Sequence, residues 1–135
     1  MSNPWKDISL SDYEKHMSLD SVMQLQSMNQ TMKSQLEDYD VHTVMILGIA
    51  GGNGVEHIDT EKYQAVYGVD INESYLQAVS DRYKNLDGLL KCLNIDITNE
   101  ADLLPESVLS DLRNLSGSFL LDMDFPLPDW VWQCL

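Results

Sequence analysis

Thr43-Val44-Met45-Ile46-Leu47-Gly48-Ile49-Ala50-Gly51-Gly52-Asn53-Gly54 is an apolar run that ends in a cluster of glycines. The part from Thr43 to Ile49 is short and β-branched, with Asp40 before it and glycines after it. That is the pattern of a strand buried on both faces in a parallel sheet. Glycines at a strand-to-helix turn let the backbone bend sharply and let a ligand approach the main chain. Asn53 followed three residues later by Glu56 is an N-cap signal, so a helix is expected from the turn to about Thr60. Its first turn would offer unpaired N–H groups.

The chain on either side supplies the partners of this strand. Ala65-Val66-Tyr67-Gly68-Val69-Asp70 is a second apolar run, and it ends in an acid. Asn72 can cap a helix that carries Tyr75, Leu76, Val79, Tyr83 and Leu86 on one face and stops at Asp87-Gly88. Leu89 to Asn94 reads as a third strand, ending near Asp96. Upstream, Val22, Leu25, Met28, Met32, Leu36 and Tyr39 recur at spacings of three and four. They predict a helix over Ser21–Tyr39 with Ser21 and Gln24 as a capping box. The segment before about Met17 is polar with scattered aromatics (Trp5, Tyr13) and reads as an arm that packs on something. Beyond Pro105, Val108, Leu109, Leu112 and Leu115 predict a helix ended by Gly117, and Phe119–Met123 a fourth strand. The expected organisation is an arm and helix over 1–40, a βαβαβ core over 41–105 and a C-terminal segment over 106–135.

Strands alternating with helices imply a parallel sheet with helices on both faces. The expected fold is therefore α/β, a Rossmann-like three-layer sandwich with a mostly parallel sheet of about four strands. Ligands of such sheets bind beyond the carboxyl ends of the strands, at the switch point beside the first one. The glycine cluster, Asp70 and Asp96 all fall at strand carboxyl ends and so converge on one crevice. A carboxylate at Asp70 can accept two hydrogen bonds from a ribose diol. Asp96 can accept from the exocyclic amine of adenine.

Composition narrows the function classes. The chain has 135 residues, 8 Lys+Arg against 22 Asp+Glu, and a formal charge of −14. With 44% hydrophobic residues it has the makings of a folded core. Nucleic-acid binding relies on Lys and Arg neutralising phosphates, and an anionic membrane surface would repel this chain, so neither is favoured. No apolar run approaches the ~18 residues of a membrane span, and the N-terminus lacks a secretory signal pattern. Cys92 and Cys134 form no CxxC pair, and no cluster has metal-ligand spacing, so no metal is expected. Cys92 reads as a buried small hydrophobe. A cytoplasmic protein with free thiols is the expectation. His42 is expected to be exposed and His57 to lie on the surface or at a cap, which leaves His16 as the histidine with a site role.

On these residues the chain resembles the class I S-adenosylmethionine-dependent methyltransferases. Their first motif is an apolar strand entering a Gly-x-Gly-x-Gly loop. Val44 to Gly52 fits that frame, with Gly48 and Gly52 in the outer glycine places and Ala50 in the middle one. Their second motif is a strand ending in an acid that holds the ribose, matched by Val66 to Asn72 with Asp70 as the acid. Their third is an acid reaching the adenine amine, often followed by Leu-Pro. Asn94-Ile95-Asp96-Ile97 and then Leu103-Leu104-Pro105 look like it. The resemblance implies S-adenosyl-L-methionine as cofactor, Ile71 and Ile97 as apolar walls of the adenine pocket, and Tyr13, His16 and Met17 on a segment that closes over the ligand. It covers roughly Tyr13 to Pro105. It departs from the family at Ile46, where many members carry an acid. Backbone carbonyls around Gly48 are then left to receive the ligand's ammonium group. The methyl acceptor is then a small molecule or a protein, nucleic acid being disfavoured by the charge.

Two other readings stay open. A nicotinamide dinucleotide site requires Gly-x-Gly-x-x-Gly. From Gly48 the later places are Ala50 and Asn53, and from Gly52 they are Gly54 and His57, so neither frame is complete. A non-catalytic ligand-binding or interaction module is the other. The family's sheet has seven strands and this sequence supplies about four, so a fold truncated after the third or fourth strand is expected. An open sheet edge invites pairing, which predicts a homo-oligomer.

Overall fold

The two apolar runs around the glycine cluster form neighbouring parallel strands, β1 (Thr43–Leu47) and β2 (Ala65–Asp70), in which every residue is buried. This computed structural model describes residues 4–40, 42–96, 106 and 118–122, the last five as backbone only. The helices are α1 (Leu10–Met17), α2 (Gln24–Asp38) and α3 (Glu73–Arg82). Two further strands are β3 (Leu90–Asn94) and β4 (Ser118–Asp122). Short 3-10 turns occupy Pro4–Lys6, Val55–His57 and Lys84–Leu86.

The strand order is β3-β2-β1-β4, and all three pairings are parallel. The chain thus runs outward from β1 through β2 to β3, then returns to place β4 on the other side of β1. The order reverses at β1, whose carboxyl end carries the glycine turn, so the turn stands at the switch point where such sheets bind ligands. The α/β, Rossmann-like expectation holds. The fourth strand falls one residue earlier than its sequence suggested.

On one face of the sheet, Val44, Ile46 and Val66 pack with Met32 and Leu36 of α2, Leu76 and Val79 of α3, and Leu86. Each such side chain contributes about 1.5–3 kcal/mol on burial. The residues facing the other way, Met45, Leu47, Tyr67 and Val69, are at most 1% exposed. Both faces of the central strands are therefore covered, as a three-layer arrangement requires. Among the described residues no helix is long and apolar enough to cross a membrane.

Several local expectations are corrected. The helix predicted over Ser21–Tyr39 begins at Gln24, and the Ser21–Gln24 capping box does not form. Val22 N–H and Met23 N–H both donate to Leu19 O, at 2.8 and 2.7 Å, which closes a separate turn and leaves Ser21 outside the helix. Met23 is the N-cap, in a left-handed conformation and with no side-chain cap bond. Met32 and Leu36 carry the buried stripe, whereas Tyr39 is 56% exposed because the chain turns extended there. The helix expected after the glycine turn shrinks to Val55–His57, because Asn53 is used elsewhere. Its Nδ2 donates to Leu25 O at 2.7 Å, and its Oδ1 accepts from Asn29 Nδ2 at 2.9 Å. His42 is half-buried rather than exposed, its Nδ1 donating to Lys62 O at 3.2 Å. Cys92 is half-buried rather than buried. Asn72 caps α3 as its sequence suggested, accepting from Ser74 N–H at 3.0 Å. The helix predicted over Val108–Leu115 lies outside the described residues.

Candidate functional site

The turn after β1 is built from left-handed backbone. Gly48 has φ 71°, Ala50 φ 48° and Gly52 φ 84°. For Ala50 this conformation costs about 1–2 kcal/mol, so neighbouring contacts must hold it. Its N–H donates to Asp70 Oδ2 at 2.9 Å, and its methyl packs with Tyr13 and Tyr75. The strained residue is thus tied to the acid at the end of β2.

Asp70 is 9% exposed. Its second oxygen, Oδ1, accepts from Asn72 N–H at 2.9 Å. Burial pushes its pKa above the ordinary 3.8, against the pull of the backbone N–H groups of Asn72, Ala50 and Ile71. An ionised carboxylate has about four acceptor positions, so these amides orient the group without exhausting it. Asn94 Nδ2 donates to Asp70 O at 3.2 Å and Ile71 O at 3.0 Å, tying the end of β3 to the end of β2. The register Asp70↔Asn94 places Asp96, half-buried, just beyond the same strand ends. Ile71 is half-buried beside them. Gly48, Ala50, Gly52, Asp70, Ile71 and Asp96 therefore gather at the carboxyl end of the sheet. Ile97 and the Leu103–Pro105 segment lie outside the described residues. Ile46 is a 2% exposed core side chain and offers the turn no polar group.

The arm reaches this end of the sheet. Tyr13 is buried, its ring 6.4 Å from that of Trp5 and 6.1 Å from that of Tyr75. Met17 packs on the same cluster. His16, on the same helix, is exposed and stands outside it.

Four further residues meet at these strand ends. Asn72 Nδ2 donates to Trp5 O at 2.9 Å and lies 3.4 Å from Lys6 O and Ile8 O. Tyr75 Oη donates to Ile8 O at 2.7 Å. Arg82 donates through both Nη atoms to the two oxygens of Glu14, each at 2.8 Å, and Nη1 also donates to Gly51 O at 3.1 Å. One cue was available for Asn72. A cap uses only Oδ1, so an Asn in place of Asp or Ser leaves two N–H donors to place. Nothing local marks Glu14 and Arg82, which lie 68 residues apart.

A cavity of about 470 Å³ opens between α1, the start of α2 and the end of α3, lined by Leu10, Ser11, Glu14, Lys15, Ser18, Leu25 and Arg82. None of the expected site residues among those described lines it. Among the described residues no group of three or more His, Cys, Asp or Glu is placed to hold a metal ion.

No protein-family model matches the chain, and no curated protein matches it. Several solved structures are similar. The YcgJ protein of Bacillus subtilis aligns at 17% identity and a TM-score of 0.39, over 50% of this chain and 29% of that one. An rRNA methylase from Streptococcus thermophilus aligns at 18% identity and a TM-score of 0.41, over 60% and 44%. Phosphoethanolamine N-methyltransferase 1 of Haemonchus contortus, solved with phosphoethanolamine and S-adenosylhomocysteine, aligns at 15% identity and a TM-score of 0.43, over 73% and 23%. The chain spans less than half the length of each. The likeness is one of general α/β fold and goes no further.

Proposed function

We propose that this chain carries the cofactor-binding portion of an S-adenosylmethionine-dependent methyltransferase acting on a small-molecule or protein acceptor. The observation that carries the reading is the pairing of Asp70 with the left-handed turn at the switch point, the Ala50 N–H holding the carboxylate at 2.9 Å. Fixed in this way, Asp70 presents its remaining lone pairs to a ribose diol. Asp96 accepts from the adenine amine, with Ile71 as one apolar wall and Ile97 as the other. The backbone at Gly48, Ala50 and Gly52 takes the methionine end, since Ile46 gives it no carboxylate. Tyr13 and His16 ride on the arm that covers the ligand. When bound, the cofactor supplies an electrophilic methyl on a sulfonium. The chain's part is to align that group with the acceptor and exclude water.

A dinucleotide is a poorer fit. A pyrophosphate is held at the N-terminus of the helix that follows the glycine turn. Here only the three-residue Val55–His57 turn follows. One observation favours a non-catalytic binding module. The turn is already roofed by the arm through Tyr13, Tyr75 and Arg82.

Calorimetry with S-adenosylmethionine, S-adenosylhomocysteine and NAD tests the assignment. The first two are expected to bind. Asp70→Ala should weaken them by about ten- to a hundredfold, the loss expected for hydrogen bonds to a charged group. Affinity should fall on acidification at a pH above 3.8, because the raised Asp70 pKa brings in the protonated, non-accepting form early. Tight NAD binding without S-adenosylmethionine binding overturns the proposal. Cofactor binding without methyl transfer to any acceptor selects the module reading.

A further inference from the structure

Gly51 is the glycine of the turn that neither backbone geometry nor the methyltransferase motif accounts for. It lacks the left-handed φ of Gly48, Gly52 and Gly54, and it falls between the motif's glycine places. Its surroundings explain it. A Cβ built there would lie 2.5 Å from Arg82 Nη1 and 2.6 Å from Glu14 Oε2. The ion pair between α3 and the arm rests directly on this residue. Arg82 Nη1 serves both Glu14 Oε2 and Gly51 O.

We infer that Arg82 is a positioning residue that holds the arm and the glycine turn in one arrangement, with Gly51 kept bare so that the ion pair can lie against it. A guanidinium suits this task because it presents several N–H donors in a rigid planar fork. Two serve the Glu14 carboxylate, and Nη1 also reaches the turn carbonyl. When the arm lifts, Glu14 leaves, and the guanidinium loses the partner that orients it on Gly51 O. Opening of the arm therefore loosens the turn. The inference deepens the proposed function, since the turn so positioned is the one assigned to the cofactor, but the coupling itself is measurable without ligand.

Amide hydrogen exchange on the full chain tests it. The α1 amides report the arm, with Tyr13 N–H donating to Ser9 O as one example. Gly52 N–H, which donates to Ile49 O at 2.9 Å, reports the turn. Val66 N–H in β2 is the control. Arg82→Ala, Glu14→Ala and Gly51→Ala are each expected to speed exchange at both arm and turn by about two- to fivefold, the range for a partly exposed charged pair, and to leave Val66 unchanged. Gly51→Ala is the gentle variant. Its added methyl meets only the far ends of two flexible side chains, so the fold survives with both charges present. Added to Arg82→Ala, it should have no further effect. Arg82→Lys should restore exchange at the arm more than at Gly52, because one ammonium cannot reproduce the fork. Faster exchange at the arm with no change at Gly52, or a silent Gly51→Ala, overturns the inference. If the exchange pattern is as expected but S-adenosylmethionine does not bind, the proposed function alone fails. If the cofactor binds and the exchange pattern is absent, the positioning role alone fails.

Discussion

The arm is fastened over the strand ends at two places that differ in kind. At Asn72 the tie is neutral and buried, an amide at 4% residue exposure donating to arm carbonyls. At Arg82 the tie is ionic, between side chains 44% and 29% exposed. Water reaches the Asn72 amide less readily than it reaches the exposed pair, so an unmade bond at the first place costs about 1–3 kcal/mol. Water and salt can replace a lost partner at the second, where exposed pairs contribute about 0–1 kcal/mol. The Asn72 end therefore behaves as a fixed hinge and the Arg82 end as a reversible clasp.

The largest expected effect breaks the hinge. Asn72→Ala removes the cap of α3, worth about 1 kcal/mol, and also strands the arm carbonyls. A loss of about 2–3 kcal/mol in urea denaturation is expected, against less than about 1 kcal/mol for Arg82→Ala. Asn72→Ser keeps a capping oxygen and discards the amide donors, so it should fall between the two. Equal losses for Asn72→Ala and Arg82→Ala would erase the distinction between hinge and clasp.

The same contrast explains what the sequence could and could not tell. The β1 and β2 runs were legible because burial on both faces demands unbroken apolar residues, and the boundaries of β2 came out as read. Asn72 as a cap was legible because capping is a local bond. Its second role was not, because the carbonyls of Trp5, Lys6 and Ile8 lie more than sixty residues away. The helix expected after Asn53 failed for the same reason. A local cap signal lost to Asn29 and Leu25, partners on α2 that no local pattern announces. Of the site, Asp70 and a glycine turn at the strand ends could be anticipated from residue type and spacing, whereas the left-handed Ala50 could not. The Glu14–Arg82–Gly51 contact could not.

A third tie, between α2 and the turn, sharpens the comparison through pH. Asn29 Nδ2 donates to Glu56 Oε1 at 2.7 Å, Gly54 N–H donates to Glu56 Oε2 at 3.0 Å, and His57 Nε2–H donates to Asn29 Oδ1 at 2.8 Å. Burial alone would raise the Glu56 pKa. The hydrogen bond from Asn29 and those from backbone N–H groups, with the charge of His57, outweigh it and hold the value below 4.5. A lowered carboxyl pKa contributes stability that is complete above 4.5 and is lost as pH falls through the folded value. Asp70 works in the opposite sense. Its raised pKa favours the protonated form in the fold, so its contribution diminishes as pH rises through 3.8 and beyond. The difference between the chain and Glu56→Gln, followed by denaturation, isolates the first effect. Stability should fall more steeply below pH 4.5 in the unaltered chain. A parallel pH dependence in the two would show that the Glu56 bonds are not tighter to the ionised form.

The smallest effect separates hinge from clasp without any mutation. Raising the ionic strength from about 0.01 to 1 M shortens the screening length from about 30 to 3 Å. A half-exposed pair weakens under that change, while neutral bonds at a buried amide scarcely respond. Exchange at α1 amides near Glu14 should therefore speed up by a factor of about two to three, in keeping with the few tenths of a kcal/mol that exposed pairs carry. Exchange at Tyr75 N–H, which donates to Asn72 O at 3.1 Å, should stay level. In Glu14→Gln the salt response at α1 should vanish, because the remaining contact has lost one of its charges. If the speed-up persisted in Glu14→Gln, it would not come from this pair, and since screening the self-repulsion of the −14 charge acts in the opposite direction, the clasp would lose its place at Arg82.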